Sequence, residues 1–256
     1  DELCAPAIAL LRYVEYTGNT AFLQKDYIRD GLHCILKRLQ SRRHPDVALY
    51  ETFLQPTDDL RVYPYLTYDN VLVWYTLRKL ARYYPEYAGL EAEADRIMAA
   101  IHEHCVKEKD GKKMFAWSVD LKGNWDIYDE PPGSLLLLPH YGFCSQDDEI
   151  WRHTTDVIRR KDYPYSFADC PIAEIGCPHA PHPWVLSIAN SLLSGRRDEA
   201  GKHLALCKLD NGIACESVDE YTGESATGEA FATCAGFLAY AIDSAFTGRK
   251  KKEVDT

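Results

Sequence analysis

Several features are scarce or missing in this 256-residue chain, and each absence removes a class of protein. No apolar stretch reaches the roughly 18 to 20 residues that a membrane-crossing helix needs, and no basic segment followed by an apolar one opens the chain. Positive charge is short: 29 Lys and Arg face 39 Asp and Glu, a formal net charge of −10. Nucleic acid and anionic membranes are therefore excluded as partners, because binding phosphate requires an excess of Lys and Arg. The one basic run, Arg249 to Lys252, lies at the end, and residues 249–256 read as a solvated tail. No Gly/Ser-rich or Pro-rich linker interrupts the pattern, so residues 1–256 read as one soluble domain.

No Cys-x2-4-Cys pair occurs among the nine cysteines, which are spread singly along the chain. An odd number in no scaffold-like spacing suits neither a disulfide framework nor a zinc site. Most lie in apolar helical contexts, such as Cys34 and Cys234, where a free thiol behaves as a small buried hydrophobe. A reduced, cytoplasmic setting is expected. Cys170, Cys177, His179 and His182 do crowd together, but Pro171, Pro178, Pro181 and Pro183 among them point to a stiffened loop. Neither a metal nor another cofactor is expected.

Strand signals are also scarce. Met114 to Val119 and Trp125 to Tyr128, joined through Lys122-Gly123-Asn124, can form at most one small hairpin. Helical periodicity dominates instead, over 4–17, 25–40, 67–84, 90–107, 131–142, 147–160, 182–195, 197–208 and 227–247. Stop signals such as Gly18-Asn19 and Gly195 bound several of these segments. The segments at 90–107 and 197–208 are amphipathic, whereas "PGSLLLLPHYGF" and "FATCAGFLAYAI" are apolar nearly all round. An outer helical layer around an inner one produces that alternation, so the fold class is all-α and an α/α toroid fits best. A full toroid of six hairpins needs twelve helices and nine are legible. The chain also opens at "DELCAPAIALL" without an initiator Met, so an N-terminal part of the toroid is expected to be missing.

Three stretches carry unusual polar and aromatic density. "TFLQPTDDLRVYPYLTYDN" sets Asp58 and Asp59 among Tyr63, Tyr65 and Tyr68, which should surround the acids as a pocket. "IAEIGCPHAPHPW" holds Glu174, His179, His182 and Trp184 on a proline-rich turn. "LDNGIACESVDEYTGESATGEAF" places Glu216 behind a short apolar run, at the mouth of a helix. Two carboxylates across a cleft can act as acid and base in glycoside hydrolysis, with aromatic rings for sugar faces. Each acid taken alone is equally well a turn residue or an exposed charge. The Asp pair lacks the further acids and bases of a magnesium-diphosphate site, which argues against a prenyl-type enzyme.

Several blocks, in order, resemble glycoside hydrolase family 125, the metal-independent exo-α-1,6-mannosidases. "DELCAPAIALLRYVEYTGNTAFL" resembles that family's Asp-x-Leu-Cys-Tyr-Pro segment, and "QPTDDLRVYPYLTYDN" its Arg-Pro-Ser-Asp-Asp segment. "YDEPPGSLLLLPHYGF", "IGCPHAPHPWVLSIANSLLS" and "NGIACESVDE" match further blocks, the last around the family's His-Glu-Ser. The resemblance implies an (α/α)6 barrel and an exo-acting, inverting enzyme that removes terminal α-mannose from oligosaccharides or glycans without metal. Asp58 or Asp59 would be the general acid, with Asp58 preferred, and Glu216 the general base. Asp59, Tyr65, Asn70, His179, Trp184, Asp1 and Asp129 would lie near the sugar. Gln55, Cys215, Gly228 and Ala230 stand where the family has Arg, His, Arg and Trp. Those departures leave open an α-glucosidase on the same toroid or a non-catalytic carbohydrate-binding relative.

Overall fold

The computed structural model describes residues 1–87, 89–209 and 212–247, so the expected tail at 249–256 lies outside the described residues. The chain divides into two compact units. The first comprises Asp1–Val106 and Trp117–Asp126, and the second Lys107–Ala116 and Ile127 onward.

In the first unit, α1 (Ala5–Thr17) starts with Pro6 in its first turn and stops at Gly18, whose N–H donates to the Val14 carbonyl. Helix α2 (Asp26–Gln40) carries Asp26 in its first turn and Lys37 and Arg38 in its last, the order the helix dipole favours. Its apolar stripe buries Leu32 against Ala7, Leu11, Val14 and Leu23. Strand β1 (Tyr65–Leu66) leads directly into α3 (Thr67–Tyr83), which is buried continuously from Thr67 to Leu77. Such a helix can only be a core element, because apolar residues occur on all its faces. It packs on α1 and on α4 (Leu90–Ala100), and Leu80 and Tyr84 enter the same cluster as α1. The Tyr84 hydroxyl donates to the Leu23 carbonyl at 2.8 Å, which lets a polar tip be buried at little cost.

Between the units' segments the strand pattern departs from the expected hairpin. Strands β2 (Val106–Lys109) and β3 (Lys112–Phe115) pair around Asp110-Gly111, both at positive φ, 54° and 73°. Asp-Gly is the sequence that a two-residue turn with two left-handed positions demands, and it outcompetes the longer Lys122-Gly123-Asn124 connection. Strand β4 (Ser118–Val119) pairs with β1, and the expected pairing survives in part, through a Val119–Trp125 bridge and the bonds from Trp117 N–H to the Asp126 carbonyl and from Asp126 N–H to the Ser118 carbonyl, at 3.1 and 3.2 Å. With β5 (Ser217–Val218) and β6 (Ser225–Thr227), the described residues hold three two-stranded sheets rather than at most one hairpin.

The second unit contains α5 (Glu149–Ile158), α6 (Val185–Leu193), α7 (Arg197–Leu206) and α8 (Ala232–Ile242). The carboxylate of Asp148 caps α5 by accepting from the N–H groups of Ile150 and Trp151 at 2.8 and 3.0 Å. Helix α6 is buried over all but its last residue, with α7 and α8 packed against it. The helix expected at 131–142 does not form. Two single turns of 3-10 helix occur there, Pro131–Gly133 and Leu135–Leu137, with all four leucines of 135–138 buried. Pro131, Pro132, Gly133 and Pro139 deny the segment a continuous helical hydrogen-bond ladder, while its apolarity still drives it into the core. Cys34 is a second correction, because it is exposed on α2; Cys4, Cys105, Cys177, Cys215 and Cys234 are the buried thiols. No described helix is long and apolar enough to cross a membrane.

Replacing Asp148 by Ala removes the α5 cap and is expected to lower stability by about 1 kcal/mol in urea denaturation.

Candidate active site

In the first unit the segment 41–64 folds back on α3 through Asn70, which is fully buried. Its side-chain oxygen accepts from Tyr50 N–H at 2.7 Å, and its amide nitrogen donates to the Tyr50 and Leu66 carbonyls at 3.1 and 2.8 Å. Asn70 therefore acts on the loop's backbone, as a side chain imitating a strand partner. Gln55 anchors the next stretch by accepting from the Trp117 indole N–H at 2.7 Å. The Gln55 and Asp58 N–H groups close a tight turn, donating to the Asp59 and Gln55 carbonyls at 2.8 and 2.9 Å. Asp58 sits in that turn at φ 64°, a left-handed conformation uncommon outside glycine though tolerated by Asp.

Asp58, Asp1 and Asp69 line one cavity of about 440 Å³, together with Tyr50, Thr52 and Gln55. Asp58 itself is exposed, and Tyr65 and Tyr68 are buried in the core instead of surrounding it. The aromatic residues that do line the cavity are Tyr50 and Phe53. The physical reason is that β1 and the first turn of α3 take Tyr65 and Tyr68 inward, while the Asp58 turn projects outward. Asp59 is turned toward Thr57, whose hydroxyl lies 3.4 Å from its carboxylate.

The buried acid of this cavity is Asp69, which the motif reading passed over because it lies inside a helix. Burial pushes its carboxyl above the ordinary range, and a hydrogen bond from the Thr52 hydroxyl offsets that only in part. A carboxyl of that kind can donate as well as accept a hydrogen bond.

In the second unit Glu216 enters the β5–β6 hairpin rather than a helix. Its N–H donates to the Gly228 carbonyl and its own carbonyl accepts from Val185 N–H, both at 3.0 Å. That second bond nevertheless puts it at the mouth of α6. Trp184 bridges to Ser217, and its buried indole donates to the Ala180 carbonyl at 3.1 Å. His179 stands exposed with its ring edge-on to Trp184 at 5.5 Å between centroids. Glu216, Trp184 and His179 therefore gather at one end of α6. A hollow of about 810 Å³, lined by His140, Gln146 and Arg196, lies at the opposite end of that helix.

His182 is held by Glu220, with Nδ1 2.9 Å from its carboxylate, and His179 lies against the Cys177 sulfur at 3.7 Å. Among the described residues no three His, Cys, Asp or Glu side chains are arranged to hold a metal ion.

Two acids of the second unit turn inward. Asp129 is buried, accepting from Ser134 Oγ at 2.6 Å and Leu135 N–H at 2.7 Å, and burial pushes its carboxyl up to about 7. Glu174 is buried as well. One oxygen faces Arg159, Ser187 and Ser191 at 3.1, 2.7 and 3.0 Å, and the other faces His203 Nδ1 at 2.9 Å. Burial alone would raise this carboxyl, but the Arg159 charge and the His203 and Ser187 hydrogen bonds outweigh it and hold it below the ordinary range. Sequence alone signalled Glu174 only as part of a polar loop; its partners come from three helices.

The folded value of Asp129 exceeds the unfolded one, so its contribution to stability is full below about pH 4 and is lost as pH rises toward 7. Asp129→Asn, which imitates the protonated acid, is expected to remove a slope of up to about 1.4 kcal/mol per pH unit across that window in pH-resolved denaturation. Arg159→Met leaves the Glu174 charge buried without its cation and should cost about 3–5 kcal/mol. Breaking the exposed Lys208–Glu224 pair with Lys208→Met should leave stability little changed in the same assay.

Comparison with known proteins places this geometry in a family. A model of the metal-independent alpha-mannosidases (GH125) matches residues 33–242. The Meiotically up-regulated gene 157 protein of Schizosaccharomyces pombe is 28% identical over 198 residues, which cover 71% of this chain and 39% of that protein. The chain thus spans well under half the length of this relative. A Streptococcus pneumoniae structure, from work on metal-independent alpha mannosidases and in a non-productive complex with alpha-1,6-mannobiose, superposes with a TM-score of 0.83. It is 21% identical, and the match covers 95% of this chain and 68% of that one, so the helix-dominated fold is shared. With the family model spanning the segments that carry both Asp58 and Glu216, the chain belongs to the metal-independent alpha-mannosidase family, glycoside hydrolase family 125.

Proposed function

We propose that this chain forms the catalytic part of an exo-acting, inverting α-mannosidase built on an (α/α)6 barrel. The observation that carries the reading is the family match over the segments of both Asp58 and Glu216. Two local features support it: the left-handed turn that thrusts Asp58 into a cavity, and the hairpin that pins the Glu216 backbone on both sides. Strained backbone is concentrated at working sites, because the surrounding fold must maintain it.

Asp58 is the general acid and protonates the departing glycosidic oxygen as the bond to the anomeric carbon breaks. Glu216 is the general base and takes a proton from the water that attacks the opposite face of that carbon. The charge in between is spread over the anomeric carbon and ring oxygen, and the product leaves with inverted configuration. Asp59, Asp1, Tyr65 and Asn70 serve the acid in the first unit, and His179, Trp184 and Asp129 serve the base in the second. His179 is exposed and suited to a hydroxyl, whereas Asn70 and Asp129 act through the backbone they hold. Terminal α-1,6-linked mannose is the substrate that the neighbour's mannobiose complex supports. Nine free cysteines, five of them buried, favour a reducing compartment such as the cytoplasm.

The departures at Gln55, Cys215, Gly228 and Ala230 favour a second reading, in which the sugar is glucose or the site binds without turnover. Following α-1,6-mannobiose and its α-glucosyl counterpart by proton NMR separates the alternatives. The expected outcome is β-mannose as the first product, with kcat lowered roughly 10²–10⁴-fold by Asp58→Asn and by Glu216→Gln. First release of α-mannose would refute inversion, and sugar binding without any turnover would establish the non-catalytic reading.

A further inference from the structure

Glu216 has almost no backbone freedom, since its N–H and carbonyl are both engaged, with Gly228 and Val185. Its carboxylate is aimed by whatever packs on its side chain. The β5–β6 pairing is irregular at this point: Ser217 faces Thr227 and Val218 faces Ser225, so the register shifts within two residues. Irregularities of this type re-aim side chains beside active sites. The Ser217 and Thr227 hydroxyls, 2.6 Å apart, lock the shifted register. Immediately beyond Thr227, Gly228 adopts φ 58° and lies flush against the Glu216 side chain. A β-carbon on Gly228 would stand 2.6 Å from Glu216 Cβ and 3.3 Å from Oε2. The first distance is one that real β-carbons essentially never show, so the Glu216 side chain would have to move by most of an ångström.

We propose that Gly228 is a positioning residue for the base, its missing side chain setting the direction of the Glu216 carboxylate toward the attacking water. This rests on Glu216 being the base. The position does not touch the sugar's reacting atoms; it acts through Glu216. Gly212 supplies the control, because it also has a left-handed φ, 79°, but an added β-carbon there meets nothing within 4 Å. Both glycine-to-alanine changes incur backbone strain, and only one displaces the base.

The test uses the natural full-length protein with an aryl α-mannoside, comparing Gly228→Ala, Gly212→Ala and Glu216→Gln for Tm, kcat, KM and the pH profile of kcat/KM. Gly228→Ala is expected to lower kcat roughly 100-fold, the cost of an ångström-scale misplacement, with KM nearly unchanged and the acidic limb of the pH profile displaced. Gly212→Ala is expected to lose comparable Tm and keep kcat and the profile. Equal losses of kcat in the two alanine variants, or wild-type turnover in Gly228→Ala, would overturn the proposal while an inactive Glu216→Gln left the base assignment standing. Full activity of Glu216→Gln would sink the base assignment, and the proposal with it.

Discussion

The second unit is organised around one buried carboxylate. Glu174 gathers Arg159 from the end of α5, Ser187 and Ser191 from α6, and His203 from α7, so four stretches of chain meet at two oxygen atoms. A charge in that position is tolerable only because a cation and several donors compensate for its lost hydration. Ser187 also accepts from Ile175 N–H, which ties the proline-rich loop to the same helix. Since α6 is preceded by Trp184 and its first N–H binds the Glu216 carbonyl, an error in the polar core would be transmitted to the proposed base within a few residues. The unit thus holds two glutamates of opposite character, Glu174 sealed and multiply bonded and Glu216 half-exposed with its backbone N–H and carbonyl both engaged.

The first unit solves a different problem. Asp58 lies in a stretch of more than twenty residues without a helix, where loss of conformational freedom is costly. The solution is to attach the stretch at its root, where Asn70 and Gln55 supply the hydrogen bonds that a sheet would otherwise provide. The cavity then combines an acid at the surface, Asp58, with an acid beneath it, Asp69, whose environments differ although their chemistry is the same. Environment is what distinguishes paired carboxyl groups in catalysis.

Much of this was legible in the residues alone. Helices with clear end signals and one apolar stripe, such as α1 with its Pro6 and Gly18 and α2 with its dipole-matched charges, lie within a residue or two of the expected bounds, since local signals and burial agree there. The leucine run at 135–138 misled because hydrophobicity reports burial, whereas helix formation also needs unbroken backbone donors, which the surrounding prolines remove. The expected hairpin formed only in part for the opposite reason: Asp110-Gly111 carries a stronger turn signal than the connection chosen, and the strand after it also pairs with β1. Asp58 and Glu216 are proposed from their motifs, whereas no motif marks Asp69 or the inward turn of Glu174. Their significance depends on which distant residues surround them, and no local pattern encodes that.

The loop that bears Asp58 has one more property. Its root is bound through Asn70 and Gln55, yet its far limb leaves Leu60 82% and Val62 62% exposed. Side chains so placed contribute little to folding, so selection on them is decoupled from selection on the scaffold. On the proposed mechanism, preference for the leaving group could drift or be redesigned there by ordinary point changes, with Asp58 still presented from the same fixed root.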